Sequence, residues 1–220
     1  HMTPTRILLL ATAMLAQGGS LAAQGPRPAA GEALARGERD LEVRSQLASS
    51  AKRLPPGQAF PIIRELLGHD ADAADLHLPL LIWWAIEAQA ESGRDELLAL
   101  IRDPAVWQSK IFSTHTAERI GRRFTADQGP RKYFTLKEGV YSEWLIERAP
   151  EYFRRNLDYC GRLLEAAPND AAVATLLAGM AKGMSGGRVE SVPPLLREAI
   201  VRAWESGAHS ATLVTFAARL

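Results

Sequence analysis

The chain has 220 residues, 47% apolar and 23% charged, and 26 Lys+Arg against 25 Asp+Glu leave a net charge of +1. That length can enclose a sizeable core, and the composition is too apolar for wholesale disorder. The charge gives no overall pull toward nucleic acid or an anionic membrane, and the lone cysteine, Cys160, excludes an internal disulfide, a Cys-based zinc site and a c-type haem site within the chain.

The N-terminus has the grammar of a secretory signal. Arg6 supplies a positive start, Ile7 to Ala16 an apolar run, Gly18-Gly19 a helix break, and Ser20-Leu21-Ala22 the small residues of a cleavage site. Residues 1–23 are therefore expected to direct export to the periplasm or cell surface. The alternative is a terminal amphipathic helix on a cytoplasmic protein. No apolar run approaches the roughly 20 residues that cross a bilayer, so no membrane span is expected. Residues 24–39, rich in Gly, Pro and Ala, read as a linker that ends in a weak helical turn.

From Asp40 onward the pattern is helix, short turn, helix. Asp40 is a good N-cap for a helix carrying Leu41, Arg44, Leu47, Ala48 and Ala51. Pro55-Pro56-Gly57 ends it and opens a second helix, whose stripe of Ala59, Ile62, Ile63, Leu66 and Leu67 stops at Gly68. The loop His69 to Asp75 leads into the most apolar segment, Leu76 to Ala90. With Trp83, Trp84 and hardly a polar face, this helix is expected at the buried centre; the two adjacent Trp side chains point about 100° apart, which leaves one of them able to face a neighbouring repeat or partner. Asp95 to Ile101 is a short helix stopped at Asp103-Pro104, and Ala105 to Phe124 gives one or two more. Asp127 to Pro130 is a break; Tyr133 to Arg148 reads as one helix and Pro150 as the start of the next. Asn169-Asp170 recaps the chain before a helix of small residues up to Met184. The last two helices, Leu195 to Trp204 and Ser210 to Leu220, are separated by Ser206-Gly207. Helices in pairs at roughly 35–40 residues per pair match the HEAT/armadillo period. The fold class is therefore all-α, a HEAT-like α-solenoid over residues 40–220, with a compact helical bundle as the alternative.

Catalytic signatures are missing: there is no HExxH, GxSxG, P-loop, GxGxxG or CxxCH. Neither an enzyme nor a cofactor is expected. His69, Asp72, Asp75 and His77 form the densest set of possible metal ligands, oxygen and imidazole donors suited to a divalent cation. Asp and His are equally the residues of a helix–helix turn and its cap, and that reading is preferred. His115 and Glu118 have the chemistry of an acid–base pair, but no nucleophile accompanies them, and a surface ion-pair face is preferred. Arg119, Arg122, Arg123, Arg131, Lys132 and Lys137, interleaved with Tyr133 and Phe134, face one acid, Asp127. This basic stretch has the chemistry to bind phosphate or an acidic partner surface; a solvated helix face is the preferred reading, and if the chain docks a partner this is the surface expected to do it. Cys160, beside Tyr159, Leu163 and Leu164, reads as a small buried hydrophobe.

The run DLEVRSQLASSAKRLPPGQAFPIIRELL and the following DLHLPLLIWWAIEAQAE resemble the HEAT-repeat region of the large PVC-type membrane-bound dehydrogenase proteins. The similarity continues through DPAVW (Asp103 to Trp107) and returns in LLAGMAKGM and SVPPLLREAI. In that family a β-propeller dehydrogenase, a HEAT-like segment and a c-type cytochrome domain share one chain. The resemblance implies an exported, non-enzymatic helical scaffold whose protein partner is a dehydrogenase or cytochrome module. It carries over no catalytic or haem-binding residue.

Overall fold

A computed structural model describes residues 30–126, 143–184, 189, 191–206 and 210–220, with side chains described from residue 151 in the helix that begins at 143. The signal-like segment 1–23 lies outside the described residues, as do the linker up to residue 29 and Arg131, Lys132, Tyr133, Phe134 and Lys137. All regular structure among the described residues is helical, so the fold is all-α. The sequence reads as one repeat domain from residue 40 on; the structure gathers into two compact units, divided between Gly93 and Arg94.

The described part of the first unit opens inside the expected linker. Ala30–Gly37 is a helix, α1, with Ala35 fully buried. Its Arg36 forks onto Glu65 at 2.8 and 2.9 Å and also reaches Glu32 at 3.0 Å. The Gly/Pro/Ala-rich composition suggests a linker because it says nothing of these tertiary partners. Helix α2 (Leu41–Ala51) starts where Asp40 accepts hydrogen bonds from the N–H groups of Glu42 and Val43. Helix α3 (Pro56–Leu67) places Pro56 in its first turn, where a missing N–H costs nothing. A 3-10 turn, Asp70–Ala74, then leads to α4 (Leu78–Ala88). Alternate helices stack: α1 packs on α3 and α2 on α4, with α2–α3 and α3–α4 contacts between the two rows. Arg44, early in α2, reaches Asp72 just ahead of α4, while Gln89 at the end of α4 donates to the Leu54 carbonyl beyond α2. Helices α2 and α4 therefore run parallel. The core of the unit is built from Leu47, Phe60, Ile62, Ile63, Leu66, Leu67, Leu78, Ile82 and Ile86.

The second unit opens with α5 (Arg94–Arg102) and the short α6 (Pro104–Gln108), which Asp103 caps through the Ala105 N–H. A π-helical turn, Phe112–Thr116, runs into α7 (Ala117–Thr125). Helix α8 (Glu143–Ala166) passes straight through Pro150. The sequence reading breaks the chain there because proline has no N–H to give the preceding turn; the helix accepts that single loss. Helices α9 (Asp170–Gly183), α10 (Pro194–Glu205) and α11 (Ala211–Ala217) complete the unit, and Asn169 and Ser210 cap the first and last of these. Alternate helices stack here too: α7 on α9, α9 on α11, and α8 on α10.

The α7–α9 crossing is the tightest of these. Gly121 of α7 and Gly179 of α9 each lie so close to the opposing backbone that a Cβ would overlap it, against Leu176 and Glu118 respectively. Gly179 and Gly183 are four residues apart, on one face of α9. Between them Thr125, at the end of α7, donates its hydroxyl to the Met180 carbonyl at 3.0 Å. Small residues at this spacing let the two backbones touch, so the crossing is set by glycine rather than by interlocking large side chains.

Candidate functional site

The four possible metal ligands fall in the turn between α3 and α4, and the side chains of Asp72, His69 and Asp75 have structural tasks there. Asp72 is bound in a fork by Arg44, Oδ2 to Nε and Oδ1 to Nη2, both at 2.6 Å, with each side chain less than one-tenth exposed. His69 donates from Nε2 to the Ala35 carbonyl at 2.8 Å, since a carbonyl can only accept. Asp75 accepts from the N–H of Leu78 at 2.7 Å and of His77 at 2.9 Å, capping the start of α4. Those two backbone hydrogen bonds, Leu78 first, hold its carboxyl below the ordinary 3.8. His77 is exposed at the head of α4. Among the described residues no three His, Cys, Asp or Glu side chains are grouped so as to hold a metal ion.

Glu118 takes the Lys182 ammonium from α9 at 2.7 Å, and the His115 carbonyl accepts from Arg119 Nη1 at 2.7 Å. Of the basic stretch, Arg122 is exposed and Arg119 and Arg123 are half-buried on α7.

The residues that sequence reasoning missed sit on the same helices. One is Arg94, whose guanidinium lies 4.8 Å from the Tyr159 ring centre and 5.4 Å from that of Phe124. Its Nη2 donates to Asn156 Oδ1, and the Tyr159 hydroxyl donates to the Arg94 carbonyl, both at 2.6 Å. This knot joins α5, α7 and α8. Burial, its largest cause, pushes the Tyr159 phenol well above its ordinary range, and does the same to the neighbouring Cys160 thiol. Cys160 is fully buried, as the sequence implies. A thiol in that setting stays protonated and unreactive. A shallow cleft of about 200 Å³ at the ends of α8 and α10 is lined by Glu165, Asp170, Arg202 and Ser206. Its charges face one another, Arg202 to Glu165 at 3.6 Å.

The second feature is the outer face of α4, which the sequence anticipates only in allowing one of the two adjacent Trp residues to face outward. The sequence places this helix at the buried centre; the structure buries only Leu78, Pro79, Ile82, Ala85 and Ile86. Trp84 is 47% exposed and Leu76 81%, with Leu80, Leu81 and Trp83 half-buried. The reason is the packing: α2 and α3 cover one side of α4 and leave the other outward. At 100° per residue, Leu80, Leu81, Trp84, Glu87 and Ala88 share that outer side. A helix apolar all round signals either full burial or a second apolar contact, and the sequence alone does not tell these apart. No family model, curated protein or solved structure matches the chain.

Proposed function

We propose that the chain is a non-enzymatic HEAT-like repeat scaffold that docks proteins, and that its partners are the dehydrogenase and cytochrome modules of an exported redox system. The observation that carries the scaffold reading is the stacking of alternate helices in both units, α1 on α3 and α2 on α4, then α7 on α9 on α11 and α8 on α10. Two rows of helices stacked on their neighbours are what successive helical pairs produce in a solenoid. The polar residues in metal-like or acid–base spacing support it as well, since caps and ion pairs already occupy them. The resemblance over Asp40 to Ala90 supplies the redox partners. The signal-like residues 1–23 supply export. The docking surfaces proposed are the exposed aromatic face of α4 and the basic stretch Arg119, Arg122, Arg123, Arg131, Lys132 and Tyr133.

The test is co-sedimentation and pull-down of the full chain with separately purified propeller-dehydrogenase and c-type cytochrome modules. Saturable binding at micromolar concentration is the expected result. No binding to either module at high micromolar concentration overturns the redox partnership.

A further inference from the structure

Helix α1 lies on α3 with little apolar grip. Its buried residues are a glycine and an alanine, Gly31 and Ala35, and Leu34 is half-buried. So small an apolar contact adds little, and a helix of eight residues does not persist in water by itself. What fastens it is polar. The Arg36 guanidinium forks onto Glu65 at 2.8 and 2.9 Å, Glu32 steadies the same guanidinium at 3.0 Å, and the Ala35 carbonyl accepts from His69 Nε2 at 2.8 Å. Glu65 and His69 stand at the end of α3 and just beyond it, so the fastening is concentrated at the Ala35–Arg36 end of α1.

The chain between α1 and α2 has an anchored part and an open part. Glu38 Oε1 accepts from the N–H groups of Arg39 at 2.8 Å and Asp40 at 2.9 Å, and the Glu38 carbonyl accepts from Arg44 Nη1 at 3.0 Å. That guanidinium is the buried one that also forks onto Asp72. Gly37, just before this anchor, is exposed, and nothing lies within 4 Å of an added Cβ. A glycine in open space beside an anchored residue is where the backbone turns most readily. We infer that α1 is a latched strap: it lifts off α3 as a unit about Gly37 while α2, α3 and α4 stay folded, and Glu65 is the catch that holds it shut. This is independent of the partners proposed above.

The charges around the catch set what releases it. Arg36 faces Glu65 from α1, with Glu32 beside it; Arg64 and His69 face it from α3 and the following turn. The Arg36 hydrogen bond above all, helped by the charges of Arg36, Arg64 and His69, holds the Glu65 carboxyl below its ordinary 4.5 against the opposing effect of burial. The contribution of the catch is therefore complete above pH 4.5 and is lost as the pH falls through the lowered folded value. His69 retains its Nε2–H on gaining a proton, so its bond to the Ala35 carbonyl survives acid. Salt weakens the half-exposed Arg36–Glu65 pair more than the buried Arg44–Asp72 pair. The side of α3 under α1 is thus covered at neutral pH and low salt, and bared in acid or high salt.

Hydrogen exchange of the full chain tests this, read at the amides of residues 34–37 against those of 45–51 and 82–88. Glu65→Gln is expected to speed exchange of the first set by at least ~3-fold and to leave the other two at wild-type rates. About 1 M salt should do the same to the wild type and add little to Glu65→Gln. Gly37→Ala, which restricts the hinge, should slow the first set by ~2-fold or more. Glu65→Gln should retain the wild-type circular dichroism. Exchange of 34–37 that neither Glu65→Gln nor salt changes overturns the catch. Exchange that rises alike in all three sets overturns the strap, because α1 then opens only with the rest of the unit. Faster exchange of 34–37 in Gly37→Ala overturns the hinge.

Discussion

Arg44 and Asp72 form the most consequential ion pair in the first unit, because both ends are buried and the fork satisfies two donors at once. Removing one partner strands the other charge away from water, whereas removing both leaves an apolar site. Arg44→Met is therefore expected to cost about 3–5 kcal/mol in urea unfolding, and Arg44→Met with Asp72→Leu to recover most of it. A double variant as unstable as the single one would mean that the pair does not act as a unit. In the second unit, the buried thiol and phenol give the stability an alkaline slope. Both groups hold their protons in the folded chain at pH values where the unfolded chain has released them, so stability falls as pH rises. The decline should begin near pH 9.0, the thiol's ordinary value, and steepen near 10.0, that of the phenol. Each proton contributes up to about 1.4 kcal/mol per pH unit. Cys160→Ala should remove the part that starts at the lower pH, and urea titrations between pH 8 and pH 10.5 read the difference.

At the level of elements, glycines decide how closely helices approach. A methyl group at Gly179 has to push the α7 backbone away, so Gly179→Ala should destabilise the chain by about 1–3 kcal/mol or more, as overpacking does. Gly57 in α3 has nothing within 4 Å of an added Cβ, and Gly57→Ala should be neutral or stabilise by up to about 1 kcal/mol. Opposite signs in the two melting temperatures are the expected outcome. The cap at the head of α9 provides a calibrated comparison: Asn169 accepts from the Ala172 N–H at 2.9 Å, and Asn169→Ala should cost about 1 kcal/mol. Such caps are legible in the sequence because Asp, Asn and Ser before an apolar run act locally. Asp40 and Asn169 each cap the helix that the sequence assigns to them, and Asp103, read from sequence only as a stop, caps α6. Continuation of α8 through Pro150 is not legible, since the local loss of one hydrogen bond is outweighed by the packing of the rest of the helix on α10 and α7.

At the level of the whole molecule, the division at Gly93/Arg94 gives two cores. Gly93 closes the first tightly: an added Cβ would come within 2.9 Å of Phe60 and Pro56. Arg94 opens the second through its contacts with Asn156 and Tyr159. Each core should open as its own unit. In hydrogen exchange, Arg44→Met is expected to lower protection across residues 41–88 and leave α7 and α9 at wild-type rates; Gly179→Ala should do the reverse. Uniform loss of protection across the chain in either variant would show a single cooperative unit.

The sequence by itself determined the helices, their caps and most of their ends, because apolar spacing at 3.6 residues and side chains that bond the adjacent backbone act within a few residues of the chain. It also determined that Cys160 is buried, from the apolar company it keeps. What it left open depended on partners distant along the chain. Ala30–Gly37 is a packed helix because Glu65 and His69 meet it some thirty residues later. The metal-like cluster dissolves because Arg44 claims Asp72. The outer face of α4 is exposed because α2 and α3 cover only one side of it. An apolar side chain has the same chemistry whether it faces a core or a partner, and only the tertiary structure decided that Trp84 faces outward.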